Sequence, residues 1–328
     1  MGASRITLVT SSFRDGRADL LILEQLEEAC LRSGEWDSRR GPVLFAPIKV
    51  SSRFYTLLHD CIRPLARRIQ TDRTVLSLGL PYRHYFFGKT FPYFTVGSRL
   101  RVFWTYDAWP ARWPDILRIV NEARINLLLV SSSQAAQELR PLLPPHCEID
   151  WVPEVVDVSR FRAKPWQQRT IDVLAFGRSF ARYHEKIAPQ CHSRGLRYIH
   201  DRFTTTESFI DALSASRICI CFPRAVTHPE SAGPISTVTM RYLESMAAKC
   251  LIVGHAPPEA EIMFGYNPVV EVNWDDSAGQ LEFIINNPSR YTDLIERNFA
   301  IVSQRYQPRN FVERINALVS ARLAAQRQ

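Results

Sequence analysis

Short apolar runs alternate with helical segments along almost the whole chain, and they do so in two successive series. In the first series, residues 6–11 (ITLVTS), 42–48, 74–78, 100–107, 125–132 and 148–156 read as strands. The segments 18–33, 53–69 and 134–143 read as helices, the first on Leu20, Leu23, Leu26 and Leu31, the second kinked at Pro64. A strand that returns to its own sheet through a helix makes a parallel sheet with helices on both faces. A second series follows: strands at 170–178, 196–200, 217–222, 250–253 and 268–274, with helices at 183–193, 206–214 and 237–248. From Ser277 onward the chain is nearly all helical. Residues 158–169, with Lys164, Pro165 and a polar QQR, read as a linker between the series. The prediction is α/β, with two doubly wound domains at 1–157 and 170–308 and a closing helix at 309–328; 328 residues is ample for two such domains.

Composition narrows the function classes. A hydrophobic fraction of 46% belongs to a globular chain. No run of eighteen apolar residues occurs, so no spanning helix is expected. MGASRITLVTSSFRDG has no apolar leader region, and Ile6 breaks the myristoylation pattern. Seven cysteines without a C-x-x-C pair, two of them (Cys219 and Cys221) inside an apolar strand, read as reduced core thiols in a cytoplasmic protein. The net charge of +8 favours an anionic partner. The basic residues form no concentrated stripe, so nucleic acid is not the expected one.

Parallel sheets bind ligands beyond the carboxyl ends of their strands. Ser12 and Arg14, Asp107, and Ser131 to Ser133 stand at such ends in the first half. Asp107 is placed to take a proton from a hydroxyl, or simply to cap the turn in D-A-W-P beside Trp109. In the second half, FGRSFARYHEK carries Gly177, where the chain can approach a ligand, and then Arg178, Arg182 and Lys186 beside a helix start. The competing reading is a solvated basic helix face. Further on, Met240, Leu243, Met246 and Ala247 fall at helical spacing, with Glu244 among them. A carboxylate there needs a partner, either ligand hydroxyls or a neighbour such as Arg241.

Residues 82–95 (YRHYFFGKTFPYFT) hold seven Phe or Tyr side chains plus His84. Gly88 and Pro92 break any regular period, so the stretch reads as a loop. It either folds back into the core or offers a platform for a sugar or a membrane.

LESMAAKCLIVG resembles the L-E-A-M-A-x-G-x-P-V-V segment of nucleotide-sugar glycosyltransferases of the GT-B architecture, and is most similar to retaining family-4-like and spore-coat-protein-like members. VSSSQAAQEL followed by WVPEVVDVSRF resembles the close of their first domain. The resemblance implies two Rossmann-like domains across a cleft, with a terminal helix crossing back to the first. The first would bind the acceptor and the second a nucleotide sugar, UDP- or GDP-linked, with neither metal nor cofactor. It assigns Glu244 to the ribose, Arg178 to the diphosphate and catalysis, and Thr239 and Arg241, from T-x-R-x-x-E, to phosphate and ribose; capping and surface pairing is the alternative for the last two.

The matching is incomplete. The family's Lys falls at Tyr183, so Lys186 or Arg182 would have to replace it, and its donor-sugar Glu falls at Ser236. On the acceptor side stand Asp107 as catalytic carboxylate, then Ser12, Arg14, His84 and Trp109, for a glycan, lipid-linked or small-molecule acceptor, with peripheral membrane contact an open prospect. The departures keep a non-catalytic partner subunit of the same shape in view, and behind it an epimerase or phosphorylase.

Overall fold

The structure is a computed structural model that describes residues 6–10, 21–40, 48–66, 68–69, 71–177 and 180–326, apart from the side chains of 48–51. The chain divides into two compact units. One contains Leu23–Pro153 and the chain from Arg309 onward; the other contains Glu154–Pro308.

The first unit is built on β1 (Ile6–Thr10), α1 (Leu21–Arg32), β2 (Trp36–Arg40), α2 (Ile48–Ala66), β3 (Thr74–Gly79), α3 (Arg83–Thr90), β4 (Leu100–Thr105), α4 (Trp113–Ala123), β5 (Leu127–Val130), α5 (Ser133–Leu139) and β6 (Glu148–Trp151). Its strands form one parallel sheet in the order β2-β1-β3-β4-β5-β6. The four inner strands are buried along their whole length, as helices on both faces require. Helix α4 shows the local logic. Pro114 and Asp115 suit its first turn, and Ile116, Ile119, Val120 and Ala123 recur at one face and are buried.

Of the strand expected at 42–48, residues 42–47 lie outside the described residues and Ile48 belongs to α2; a strand not expected from the sequence stands at Trp36–Arg40. WDSRR escapes a hydrophobicity reading because it is an edge strand, buried only at Trp36. The aromatic stretch is no loop: residues 83–90 form α3, with Phe86 and Phe87 in the core and Phe86 packed edge-on against Phe94 and Phe103. Gly88 sits inside that helix because a β-carbon there would lie 2.8 Å from the Ser52 backbone.

The second unit runs through β7 (Ile171–Phe176), α6 (Ala181–Ser193), β8 (Tyr198–Asp201), α7 (Thr206–Ser214), β9 (Ser216–Cys221), the short α8 (Arg224–Thr227) and α9 (Pro229–Ala232), α10 (Met240–Ala247), β10 (Leu251–Gly254), α11 (Glu259–Phe264), β11 (Val270–Glu271), α12 (Ser277–Asn286) and α13 (Thr292–Arg305). Its parallel sheet has the order β11-β10-β9-β7-β8. Counted from its own first strand this is 2-1-3-4-5, the same winding as the first five strands of the other sheet. The strand expected at 268–274 is reduced to Val270–Glu271. Val173, Ile218, Ile220, Leu251 and Val253 join Tyr183 and Ile187 of α6 and Leu281 and Ile284 of α12 in one core. Inside the segment 158–169, Arg169 is buried and its guanidinium donates to the carbonyls of Lys164, Ser216 and Ala248.

The closing helix α14 (Pro308–Ala325) returns to the first unit from Arg309. Phe311 packs edge-on against Trp104 at 5.2 Å, and Trp36 Nε1 donates to Asn316 Oδ1 at 2.8 Å. All seven cysteines are free, six of them buried. Among the described residues no helix is long and apolar enough to cross a membrane.

Candidate functional site

In a 2-1-3-4-5 sheet the winding reverses between the first and third strands, and the crevice beyond their carboxyl ends is where ligands bind. In the second unit these strands are β7 and β9, a neighbouring pair in the sheet. β7 runs out at Gly177, whose φ of +82° excludes most side chains. A β-carbon at Gly177 would lie 3.7 Å from Arg241 Cδ. β9 runs out at Phe222, whose carbonyl accepts from Arg241 Nη2 at 3.4 Å. Gly177 and Arg241, 64 positions apart in sequence, are thus brought together at the reversal.

Arg241 and Glu244 lie three residues apart near the start of α10, so they share a face. Glu244 is only 6% exposed, and among the described residues its carboxylate has no hydrogen-bond partner. Burial pushes its carboxyl up to about 8, while Arg241 pulls the other way.

The loop into α10 is held by two other buried carboxylates. Glu154 accepts from the Met240 N–H at 2.6 Å and so caps the helix. Glu259 accepts from the Thr237 hydroxyl and from the Val238 N–H, the latter at 2.9 Å. Thr239 stands at the N-cap without capping; its hydroxyl is buried and without a hydrogen-bond partner among the described residues. Ser236, half-buried, belongs to the same loop.

Two features here were not picked out from the sequence. His184 of α6 is buried, stacks on His200 at 4.2 Å, and meets the Tyr198 hydroxyl through Nδ1 at 2.5 Å. Burial, with His200 and Arg241 nearby, pushes it down to about 4, so it is neutral at pH 7. The second feature is an aromatic group formed by Phe180, Tyr183, Phe222 and Trp274. Trp274 stacks on Phe222 at 5.5 Å and leaves half its surface open. His184 lay within the basic segment already singled out, but only the fold shows that Arg241's charge reaches its ring.

The other expected residues divide. Arg178, Ser12 and Arg14 lie outside the described residues. Arg182 and Lys186 are exposed one turn apart on α6. In the first unit Asp107 adopts a left-handed φ of 56° and accepts from Trp109 Nε1 at 2.8 Å. Trp109 is buried, and His84 is exposed on α3. Among the described residues, His59, Asp60 and Glu122 form a group able to hold a metal. Arg83 already lies 2.6 Å from both carboxylates of that group and supplies its cation.

No protein-family model matches the chain, and no curated protein sequence does. Solved structures do. Sucrose-phosphate synthase from Thermosynechococcus elongatus is 12% identical, with a TM-score of 0.61 over 98% of this chain and all of that one. HepE of Anabaena, in complex with UDP and glucose, is 12% identical, with a TM-score of 0.58 over 97% of this chain and all of its own.

The chain has the GT-B fold.

AviGT4, a glycosyltransferase involved in avilamycin A biosynthesis, shares that fold at 13% identity and a TM-score of 0.55 over 98% of both chains. In the GT-B fold of this chain, the second unit carries the Gly177–Arg241–Glu244 arrangement at its strand reversal.

Proposed function

We propose that the protein is a glycosyltransferase whose second unit holds a nucleoside diphosphate sugar. The carrying observation is Glu244, a buried carboxylate one turn from Arg241 at the carboxyl end of the β7–β9 reversal. A carboxylate there is costly unless a ligand completes it, and a ribose diol offers two O–H donors. Arg241 is the cation for the adjacent diphosphate, joined by Arg178 and by Lys186 or Arg182. Breaking the sugar–phosphate bond builds charge on the leaving oxygen, and a fixed donor aimed there stabilises the transition state by about 3–4 kcal/mol. On this reading transfer needs no metal and retains configuration. Gly177, Ser236 and Thr239 line the donor, and the open face of Trp274 stacks on its base or sugar.

UDP is the favoured nucleotide, with GDP the alternative, because HepE has been solved with UDP-glucose and shares the fold. The sugar is then a hexose. For the first unit the same reading assigns Asp107 to proton transfer from the acceptor hydroxyl, with Ser12, Arg14, His84 and Trp109 as acceptor contacts. The free thiols support a cytoplasmic setting.

The test is a panel of UDP- and GDP-sugars scored for nucleotide release with and without hydroxyl acceptors. Release that Arg241→Ala abolishes, in a protein that still folds, supports the reading. Tight nucleotide binding without any turnover favours the non-catalytic alternative, which Ser236 and Tyr183, standing where the family has Glu and Lys, also motivate. A panel in which no nucleotide binds overturns both.

A further inference from the structure

Helix α2 packs inside out. Its small polar residues face inward: Ser52, Thr56 and His59 are all buried. The His59 ring stacks on Phe87 at 3.8 Å, and the Ser52 backbone fits against Gly88 of α3. Four large apolar residues face out, while Tyr55, Leu58 and Ile62 are half-buried. Phe54, Leu57 and Leu65, with Ile69 just past the helix end, are 57–70% exposed, and Cys61 is exposed between them. Their spacing of three or four residues makes one stripe. A surface helix of a globular domain normally does the reverse, so this face is poorly suited to water alone.

Charge says what covers it. Residues 48–69 contain five Lys or Arg and a single acid, Asp60. Asp60 is already held by Arg83 at 2.6 Å, which leaves the outer face cationic. Arg53 and Arg68 are exposed beside the apolar stripe, and Arg63 is half-buried. A two-fold contact with another copy would set like charges against each other. An anionic bilayer satisfies both halves of the face: apolar side chains enter the acyl boundary while guanidinium groups meet lipid phosphates. The net charge of +8 acts in the same direction.

We propose that α2 docks the protein on an anionic phospholipid bilayer through Phe54, Leu57, Leu65 and Ile69, flanked by Arg53, Arg63 and Arg68. The aromatic segment 82–95, the earlier candidate for this contact, has its helix in the core instead. The proposal concerns the first unit and stands whether or not the second binds a nucleotide.

The experiment is flotation of the full chain with phosphatidylcholine vesicles, with and without phosphatidylglycerol, at low and high salt. The expected result is recovery on the anionic vesicles only, weakened by salt. Phe54→Ser/Leu57→Ser/Leu65→Ser and, separately, Arg53→Gln/Arg68→Gln should each weaken it by about tenfold or more. All of these positions are exposed or edge the stripe, so circular dichroism and thermal unfolding should match wild type. Failure to float with anionic vesicles overturns the proposal, as does flotation that neither set of substitutions weakens. A wild-type dimer in sedimentation that the triple Ser variant dissociates also overturns it, by assigning the face to a second copy.

Discussion

Arg241 and Glu244 share one face of α10, and the guanidinium opposes a burial that lifts the Glu244 carboxyl to about 8. Without ligand, Glu244 is therefore largely protonated at neutral pH, where an ordinary carboxyl is ionised.

This has a consequence for stability. Between the ordinary carboxylate range and about pH 8, the folded chain holds a proton at Glu244 that the unfolded chain releases. Stability from this group falls as pH rises through that window and levels off above it. His184 acts in the opposite sense: neutral in the fold down to about pH 4, it takes up a proton on unfolding below about 6.5, so its contribution falls as pH drops from 6.5 to 4. Above pH 6.5 only the Glu244 slope of this pair remains. Glu244→Gln should flatten the decline in Tm between pH 6.5 and 8.5 while leaving acid destabilisation in place, as thermal unfolding across pH will show.

Trp274 lies half-open against Phe222. If its face stacks on the base, Trp274→Ala should weaken UDP binding by roughly tenfold, on the scale of one base–aromatic stack. Inorganic pyrophosphate, which has no ring, should bind the variant as it binds wild type. Equal losses for both ligands in calorimetry would give Trp274 a structural role only.

Phe311 ties α14 to the first unit through Trp104. Phe311→Ala removes a fully enclosed ring and should cost about 3–5 kcal/mol. Urea unfolding followed by tryptophan fluorescence will measure it. Donor-side affinity is expected to survive, since no donor residue touches this contact.

The sequence made the alternation of strand and helix plain, because inner parallel strands must be apolar on both faces. It concealed β2, whose WDSRR owes its place to an edge and not to burial. It misrepresented Gly88, a helix breaker by propensity that is required where two backbones nearly touch. The Arg241–Glu244 pair was legible because helical spacing sets one face. His184 was not, since its environment comes from His200 and Tyr198 on a neighbouring strand. Arg169 read as a polar linker residue; the carbonyls of Lys164, Ser216 and Ala248 make it a buried clamp. The inversion of α2 likewise appears only once α3 defines which side is inside.

The account depends on the second unit gripping a nucleoside diphosphate through Arg241 and Glu244, and calorimetric titration of UDP into wild type, Arg241→Ala and Glu244→Ala tests that directly. A charge-assisted hydrogen bond contributes about 1.5–3 kcal/mol, so each variant should bind roughly ten- to a hundredfold more weakly at an unchanged fold. UDP and GDP binding as tightly to Glu244→Ala as to wild type, or binding to neither, would contradict it.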